Sequence, residues 1–273
     1  MTPLLYHHGM SVCAAKVRMA FAEKGVEWDG RYIDIRAGES HTPEYLALNP
    51  KGVVPTLVHD TQVIVESTVI CEYVDEAFEG PSLVSADAIG RARMRNWTKR
   101  IDEGLHFPAT AALTFAIARR PGLPGAVQRF APGMVMIPDP QPGPSGPLRD
   151  LLEATGISAA TLGAVLGSFD KAIADMETSL SQARWLAGDT FSLADIGFAP
   201  YLTRLDCLQL SWLWDDRPSV ADWYRRIRER VSYSSSITDW FDPQAEIEAM
   251  ARNGREVSDV LLSLLVATKQ GRR

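Results

Sequence analysis

Asn49-Pro50-Lys51-Gly52-Val53-Val54-Pro55-Thr56-Leu57 sets a proline at the head of a run that otherwise reads as a β-strand, a position where the missing N–H is tolerable. Two states stay open at Pro55. A trans proline at a turn is the common one, since cis accounts for only ~5–6% of X–Pro bonds in folded proteins. A cis bond would leave the Val54 N–H and C=O free to face a cleft. Eleven residues after Pro55 come Glu66-Ser67, at the start of a helical pattern, where N-terminal N–H groups and the helix dipole favour an anion. Taken singly, these features are a turn and an ordinary helix cap. Together they describe a site for a short extended peptide, with backbone pairing at Val54 and a carboxylate held at the Glu66-Ser67 turn, in the manner of strand addition.

Upstream, PLLYH reads as a strand, and Cys13, Val17 and Ala20 recur at helical spacing up to Lys24-Gly25, where glycine supplies a stop. WDGRYIDI reads as a second strand, and a helical turn is expected near His41 to Leu48. TLVHDTQVIV reads as two strands joined at Asp60-Thr61, and ESTVICEYVDEAF carries Val69, Ile70, Tyr73 and Val74 at helical spacing. The order β-α-β, turn, β-β-α predicts a small mixed-sheet α/β domain over residues 1–80.

Beyond about residue 84 the strand signal vanishes, so an all-α domain is expected over 86–240, with a C-terminal helical extension over 241–273. SADAIGRARMRNWTKRIDEGLHFPATAALTFAIARR reads as one long helix, followed by helical patterns at Ala159 to Gln182, Ser192 to Leu210 and Val220 to Val231. Eight of the seventeen prolines lie between Pro121 and Pro147, so 121–148 is expected to be a loop. The last helix is expected to start at Asp242-Pro243, a cap with proline in the first turn.

The 273 residues are 46% hydrophobic and 23% charged, with net charge −6 and no basic block longer than a pair. That balance argues against nucleic acid or an anionic membrane surface and for small molecules or protein partners. The longest nearly unbroken apolar run, Leu261 to Ala267, is far short of the ~18 residues that span a bilayer, and no leader pattern opens the chain, so a cytoplasmic location is expected. Cys13, Cys71 and Cys207, spaced by 58 and 136 positions, make neither a disulfide framework nor metal-ligand spacing.

The stretch Tyr6-His7-His8-Gly9-Met10-Ser11-Val12-Cys13 gathers the groups capable of thiol or proton chemistry. Alone, Ser11 is a helix N-cap, Cys13 a small buried thiol, and His7 and His8 structural residues on opposite faces of a strand. S-x-C-x-x-K-V-R after the first strand, E-K-G-x-E at the helix end, N-P-K-G-x-V-P-T-L and V-E-S-T-V-I together resemble the thioredoxin-like domain of cytosolic glutathione transferases. In the second half, Gly188-Asp189-Thr190-Phe191-Ser192-Leu193-Ala194-Asp195 is similar to that family's capping-box segment, with Ser192 and Asp195 at S-x-x-D spacing. The resemblance covers roughly residues 3–232.

It implies a thioredoxin-like α/β N-terminal domain followed by an all-α C-terminal domain, glutathione as co-substrate, no metal, a hydrophobic electrophilic small molecule as second substrate, and a homodimer. Ser11 falls in the slot of the serine-type, zeta- and theta-like members, where a hydroxyl donates to the glutathione thiolate; Tyr6 is the rival, at the position used by tyrosine-type members. His41 and Lys51 fall where the glycine carboxylate is reached, Glu66 and Ser67 would take the γ-glutamyl group, and Val54, set by Pro55, would pair with the cysteinyl unit. Electrophile candidates are Met10, Trp97, His106, Phe107, Thr110 and Phe115. Arg93 to Glu103, ESTVICEY and Ile137-Pro138-Asp139-Pro140 are similar to bacterial β-aryl etherases, which use glutathione to displace an aryloxide. The chain departs from them at Gly9 to Ala14, after Pro140 and in its tail. The resemblance therefore implies transfer of the thiolate to an electrophilic carbon, with aryloxide or halide as leaving group. The alternatives are a maleyl-type isomerase, whose S-S-C triplet reads Ser11-Val12-Cys13 here, and a non-catalytic binding or regulatory module on the same fold.

Overall fold

The computed structural model describes residues 1–117 and 157–270, so the expected loop at 121–148 lies outside the described residues. The chain divides into two compact units: residues 1–98, 183–201 and 222–242 form the first, and 99–182, 202–221 and 243–273 the second.

The first unit is built on a four-stranded sheet in the order β2-β1-β3-β4. β1 (Leu4–His7) runs parallel to β2 (Asp29–Tyr32) and antiparallel to β3 (Thr56–His59), which pairs with β4 (Gln62–Val65). The parallel pair is joined by α1 (Val12–Lys24), ended by Gly25 at φ 69°, whose N–H reaches Phe21 and Ala22. The β3–β4 hairpin turns through Asp60 and Thr61, both at positive φ, as a two-residue hairpin loop demands. β2 and β4 are the edges, each only four residues long. α2 (Pro43–Leu48) and α3 (Ser67–Ala77) complete the β-α-β, β-β-α order, as the sequence predicts.

α1 is buried on almost every side, with Ala14, Val17, Met19, Ala20 and Phe21 in the core, which is why its sequence is dominated by small and aliphatic residues rather than by an amphipathic stripe. Three of its cations are buried as well. Lys24 bonds the Asp75 carboxylate at 3.3 Å and the Asp75 carbonyl at 3.0 Å, tying α1 to α3.

The single long helix expected from residue 85 onward is instead three pieces: α4 (Ala88–Arg100), a π-helical segment Ile101–Ala111, and α5 (Ala112–Ile117). Pro108 lies inside the π segment; it cannot donate to an i→i−4 ladder, so regular α-helix cannot run through it. In the second unit α6 (Ala159–Leu180), capped by Ser158, packs against the C-terminal helix α10 (Gln244–Gln270). Met250, Val257, Leu261 and Leu265 form the buried stripe of α10, and Lys269 pairs with Asp170 at 2.7 Å. Between them in sequence come α7 (Leu193–Cys207), α8 (Pro218–Arg228) and α9 (Val231–Ser236). Among the described residues no helix is long and apolar enough to cross a membrane.

Asp195, fully buried at the start of α7, ties three segments of the first unit. Its Oδ1 accepts from Leu186 N–H at 3.0 Å and Trp223 Nε1 at 2.8 Å, and its Oδ2 from Ser192 N–H at 3.0 Å and Ser192 Oγ at 3.2 Å. The capping box expected at Ser192 is therefore half of a larger bracket. Burial pushes the Asp195 carboxyl up to about 6 against four hydrogen bonds that favour the anion, so it is ionised at neutral pH.

Candidate functional site

The Val54–Pro55 peptide bond is cis. The turn that carries it is held from behind by Asn49 and Tyr45. Asn49 Nδ2 donates to the Val53 carbonyl at 2.9 Å and to Thr56 Oγ1 at 3.1 Å, while the Tyr45 hydroxyl donates to the same carbonyl at 2.7 Å and lies 3.0 Å from Thr56 Oγ1. Burial keeps the Tyr45 phenol above its ordinary pKa, so it remains a donor. These bonds fix Val53 and Thr56, the residues flanking the Val54-Pro55 pair. Asn49 marks the turn in the sequence without a role; a side-chain amide three residues before the turn glycine, Gly52, is the signal that could have supplied one.

Glu66 stands at the N-cap of α3 with φ 71°, a left-handed conformation that costs energy for a residue other than glycine and that accompanies functional sites. Ser67, the first helical residue, is buried. Lys51 and Glu66, read from the sequence as two separate ligand contacts, face each other: Lys51 Nζ lies 2.5 Å from Glu66 Oε1, both side chains more than half exposed. His41 is exposed, its Nδ1 3.0 Å from Ser40 Oγ. Gly52, at φ 62°, passes so close to it that a Cβ would stand 3.1 Å from His41 Nε2.

Ser11 caps α1: its Oγ accepts from Ala14 N–H at 3.2 Å, and its own N–H donates to the His8 carbonyl at 3.1 Å. The cap uses an oxygen lone pair and leaves the hydroxyl proton to another acceptor. Tyr6 packs edge-on against Tyr45 at 5.8 Å and beside Ile33 and Val54, with the Arg31 guanidinium 5.6 Å from its ring centre. Cys13 is buried, its sulfur 3.7 Å from the Tyr201 hydroxyl.

His7 and His8 are both buried. His7 sits edge-on to Trp28, Tyr32 and Trp240, with Nδ1 3.4 Å from Arg18 Nη1. Burial, then the Arg18 charge, lower its pKa from 6.5 to about 4. The folded protein thus keeps His7 neutral where the unfolded chain protonates it, so its contribution is complete above pH 6.5 and is lost as pH falls toward 4, worth about 3 kcal/mol. Asp195 acts oppositely in an overlapping window, because its raised pKa adds stability as pH falls below about 6. Urea titrations at pH 7 and pH 4.5 are expected to show a smaller acid loss for His7→Gln than for the wild type; equal losses would contradict this.

The electrophile candidates are distributed over both units. Met10 is buried in the first, its N–H donating to His8 Nδ1 at 3.1 Å. Trp97, also in the first, donates from Nε1 to the Leu186 carbonyl and packs on Phe198, as a core residue does. His106 and Thr110 lie on the π segment of the second unit, where Thr110 Oγ1 bonds the Leu105 carbonyl at 2.7 Å. The side chains of Phe107 and Phe115 lie outside the described residues. Among the described residues no cluster of three or more His, Cys, Asp or Glu is arranged to hold a metal.

Residues 10–77 match the family "Glutathione S-transferase, N-terminal domain" and residues 146–226 match "Glutathione S-transferase, C-terminal domain", together more than half of the chain. The chain is 29% identical to protein LigF of Sphingobium sp. strain SYK-6 over 94% of its length and 100% of that protein. It is 26% identical to the tetrachloro-p-hydroquinone reductive dehalogenase of Sphingobium chlorophenolicum over 85% of its length and 94% of that protein. The crystal structure of the β-etherase LigF superposes with a TM-score of 0.66 at 27% identity, covering 86% of this chain and 98% of that one.

Proposed function

The chain belongs to the glutathione transferase family, and on that membership we propose that it ionises the thiol of glutathione and transfers the thiolate to an electrophilic carbon, displacing an aryloxide or a halide. The observation that carries the proposal is Ser11 at the N-cap of α1, with its lone pair engaged by Ala14 and its proton left to donate. A free thiol has a pKa of ~8.5. An O–H donor at a helix N-terminus stabilises the thiolate and lowers that value. The thiol proton leaves to solvent, the sulfur forms a bond to carbon, and the bond to the leaving group breaks with its electron pair.

In this proposal Val54 offers its backbone to the cysteinyl unit, Glu66 and Ser67 take the γ-glutamyl amine and carboxylate, and His41 and Lys51 take the glycine carboxylate. Lys51 would have to exchange its ion pair with Glu66 for that contact, a small cost for an exposed pair. Met10 is the electrophile candidate proposed in the first unit, and His106, Phe107 and Thr110 are those proposed in the second. Similarity to LigF and to the reductive dehalogenase favours an oxygen or halogen leaving group. The protein is proposed to work as a cytoplasmic homodimer.

Retention on immobilised glutathione tests the binding half. The wild type is expected to be held and eluted by free glutathione, and light scattering of the eluate to give twice the 30.0 kDa of the chain. Flow-through without retention would favour a binding or regulatory module instead.

A further inference from the structure

We propose that Arg18 is a positioning residue for Ser11, and that the segment around Trp240 takes part in holding the loop that carries it; this rests on the reading of Ser11 as the group that stabilises the thiolate. Arg18 is buried and fans its guanidinium over main-chain oxygens. Nη1 reaches the His8 carbonyl at 3.3 Å, Nη2 the Gly9 carbonyl at 3.0 Å and Nε the Ser236 carbonyl at 2.8 Å. The first two belong to the loop immediately before Ser11, and the His8 carbonyl is also the acceptor for the Ser11 N–H. The third belongs to the end of α9, more than two hundred residues away in sequence.

Trp240 closes this arrangement. Its ring lies 4.8 Å from the Arg18 guanidinium carbon, and its Nε1 donates to the Ser235 carbonyl at 2.9 Å. Its own carbonyl stands so near Gly9 that a Cβ there would come within 2.7 Å of the oxygen. The loop from His8 to Ser11 is thus bonded by a planar fork of donors and met at Gly9 by the Trp240 backbone. Burial lowers the Arg18 pKa to about 9, so the group stays charged at neutral pH and its hydrogen bonds are charge-assisted. Lysine cannot replace it: a single ammonium lacks the planar fork that reaches three carbonyls in different directions. The residues proposed for the peptide part of glutathione lie on other elements, on either side of α2 and at the start of α3. Misplacing the Ser11 loop should therefore affect thiol ionisation more than binding.

The test is a double-mutant cycle on the pKa of the bound glutathione thiol. Arg18→Lys is expected to raise that pKa by about one unit, a tenfold loss of thiolate near neutrality, with little change in the Kd for glutathione. In the S11A background the same substitution is expected to add no further shift, because the hydroxyl it positions is gone. Gly9→Ala, which leaves Arg18 in place and pushes the loop off Trp240, is expected to shift the pKa in the same direction, and it carries the test if Arg18→Lys does not fold. An unchanged pKa in folded Arg18→Lys overturns the inference. A shift of equal size in the S11A background overturns it too, by showing that the Arg18 charge acts on the thiolate directly. If Ser11→Ala itself has no effect, the assignment of Ser11 fails first, and the two failures are distinguishable.

Discussion

Asp195→Asn is expected to lower the free energy of unfolding by roughly 2–4 kcal/mol, and Asp195→Ala by more, without changing the affinity of the folded fraction for glutathione. The carboxylate accepts four hydrogen bonds, two on each oxygen, from Leu186, Trp223 and Ser192. An amide offers one acceptor. If its NH2 takes the Oδ1 position, it faces two N–H donors that cannot reverse. If it takes the Oδ2 position, the Ser192 hydroxyl can turn to accept, but the Ser192 N–H is stranded. Each buried donor left without a partner costs roughly 1–3 kcal/mol, and the charge assistance is lost as well. Alanine strands every donor at once. Urea unfolding at pH 7 measures the difference, and a loss below about 1 kcal/mol for Asp195→Ala would contradict the bracket. Since none of its partners belongs to the proposed glutathione site, retention on immobilised glutathione should separate this folding defect from a binding defect.

Ser11→Ala carries the larger effect on activity. At the helix cap the substitution costs about 1 kcal/mol of stability, too little to unfold a chain of this size. In catalysis the same hydroxyl is proposed to donate to a thiolate, and a hydrogen bond to a charged group is worth roughly 1.5–3 kcal/mol. Loss of that bond returns the thiol toward its free pKa, and kcat/KM at neutral pH is expected to fall roughly 10- to 100-fold, with recovery as pH rises toward 9. The recovery distinguishes lost thiol activation from lost binding, because a variant that simply bound glutathione poorly would not regain rate with alkali. Tyr6→Phe is expected to leave the rate within a factor of about 3. The Tyr6 ring is packed between Tyr45 and Arg31, contacts that phenylalanine keeps.

Much of the first unit was legible in the sequence because its signals are local. Gly25 ends α1 in the left-handed conformation, Asp60-Thr61 turns the hairpin, and Ser11 caps α1, each readable from neighbours a few positions away. The turn proposed to bind the peptide is marked by equally local signals: Val54-Pro55 and Glu66-Ser67 are short motifs eleven residues apart. What escaped was long-range or cooperative. Nothing near Arg18 in sequence announces that its guanidinium meets the Ser236 carbonyl and the Trp240 ring. The two donors from Leu186 and Trp223 to Asp195 come from different segments, whereas the Ser192 half of the same bracket lies within the capping pattern. Lys51 and Glu66 sit fifteen residues apart and pair only because the β3–β4 hairpin brings them together. The π segment at 101–111 was missed because Gly104 and Pro108 sit inside an otherwise helical period, and periodicity alone cannot distinguish a widened helix from a regular one.

The central claim, that this chain lowers the pKa of glutathione's thiol through Ser11, is met most directly by the ultraviolet band of the bound thiolate followed against pH in the wild type, Ser11→Ala and Tyr6→Phe. A midpoint well below ~8.5 is expected in the wild type and in Tyr6→Phe, with a return toward that value in Ser11→Ala alone. A midpoint that moves with Tyr6 and not with Ser11, or a wild-type midpoint at the free value, would contradict it.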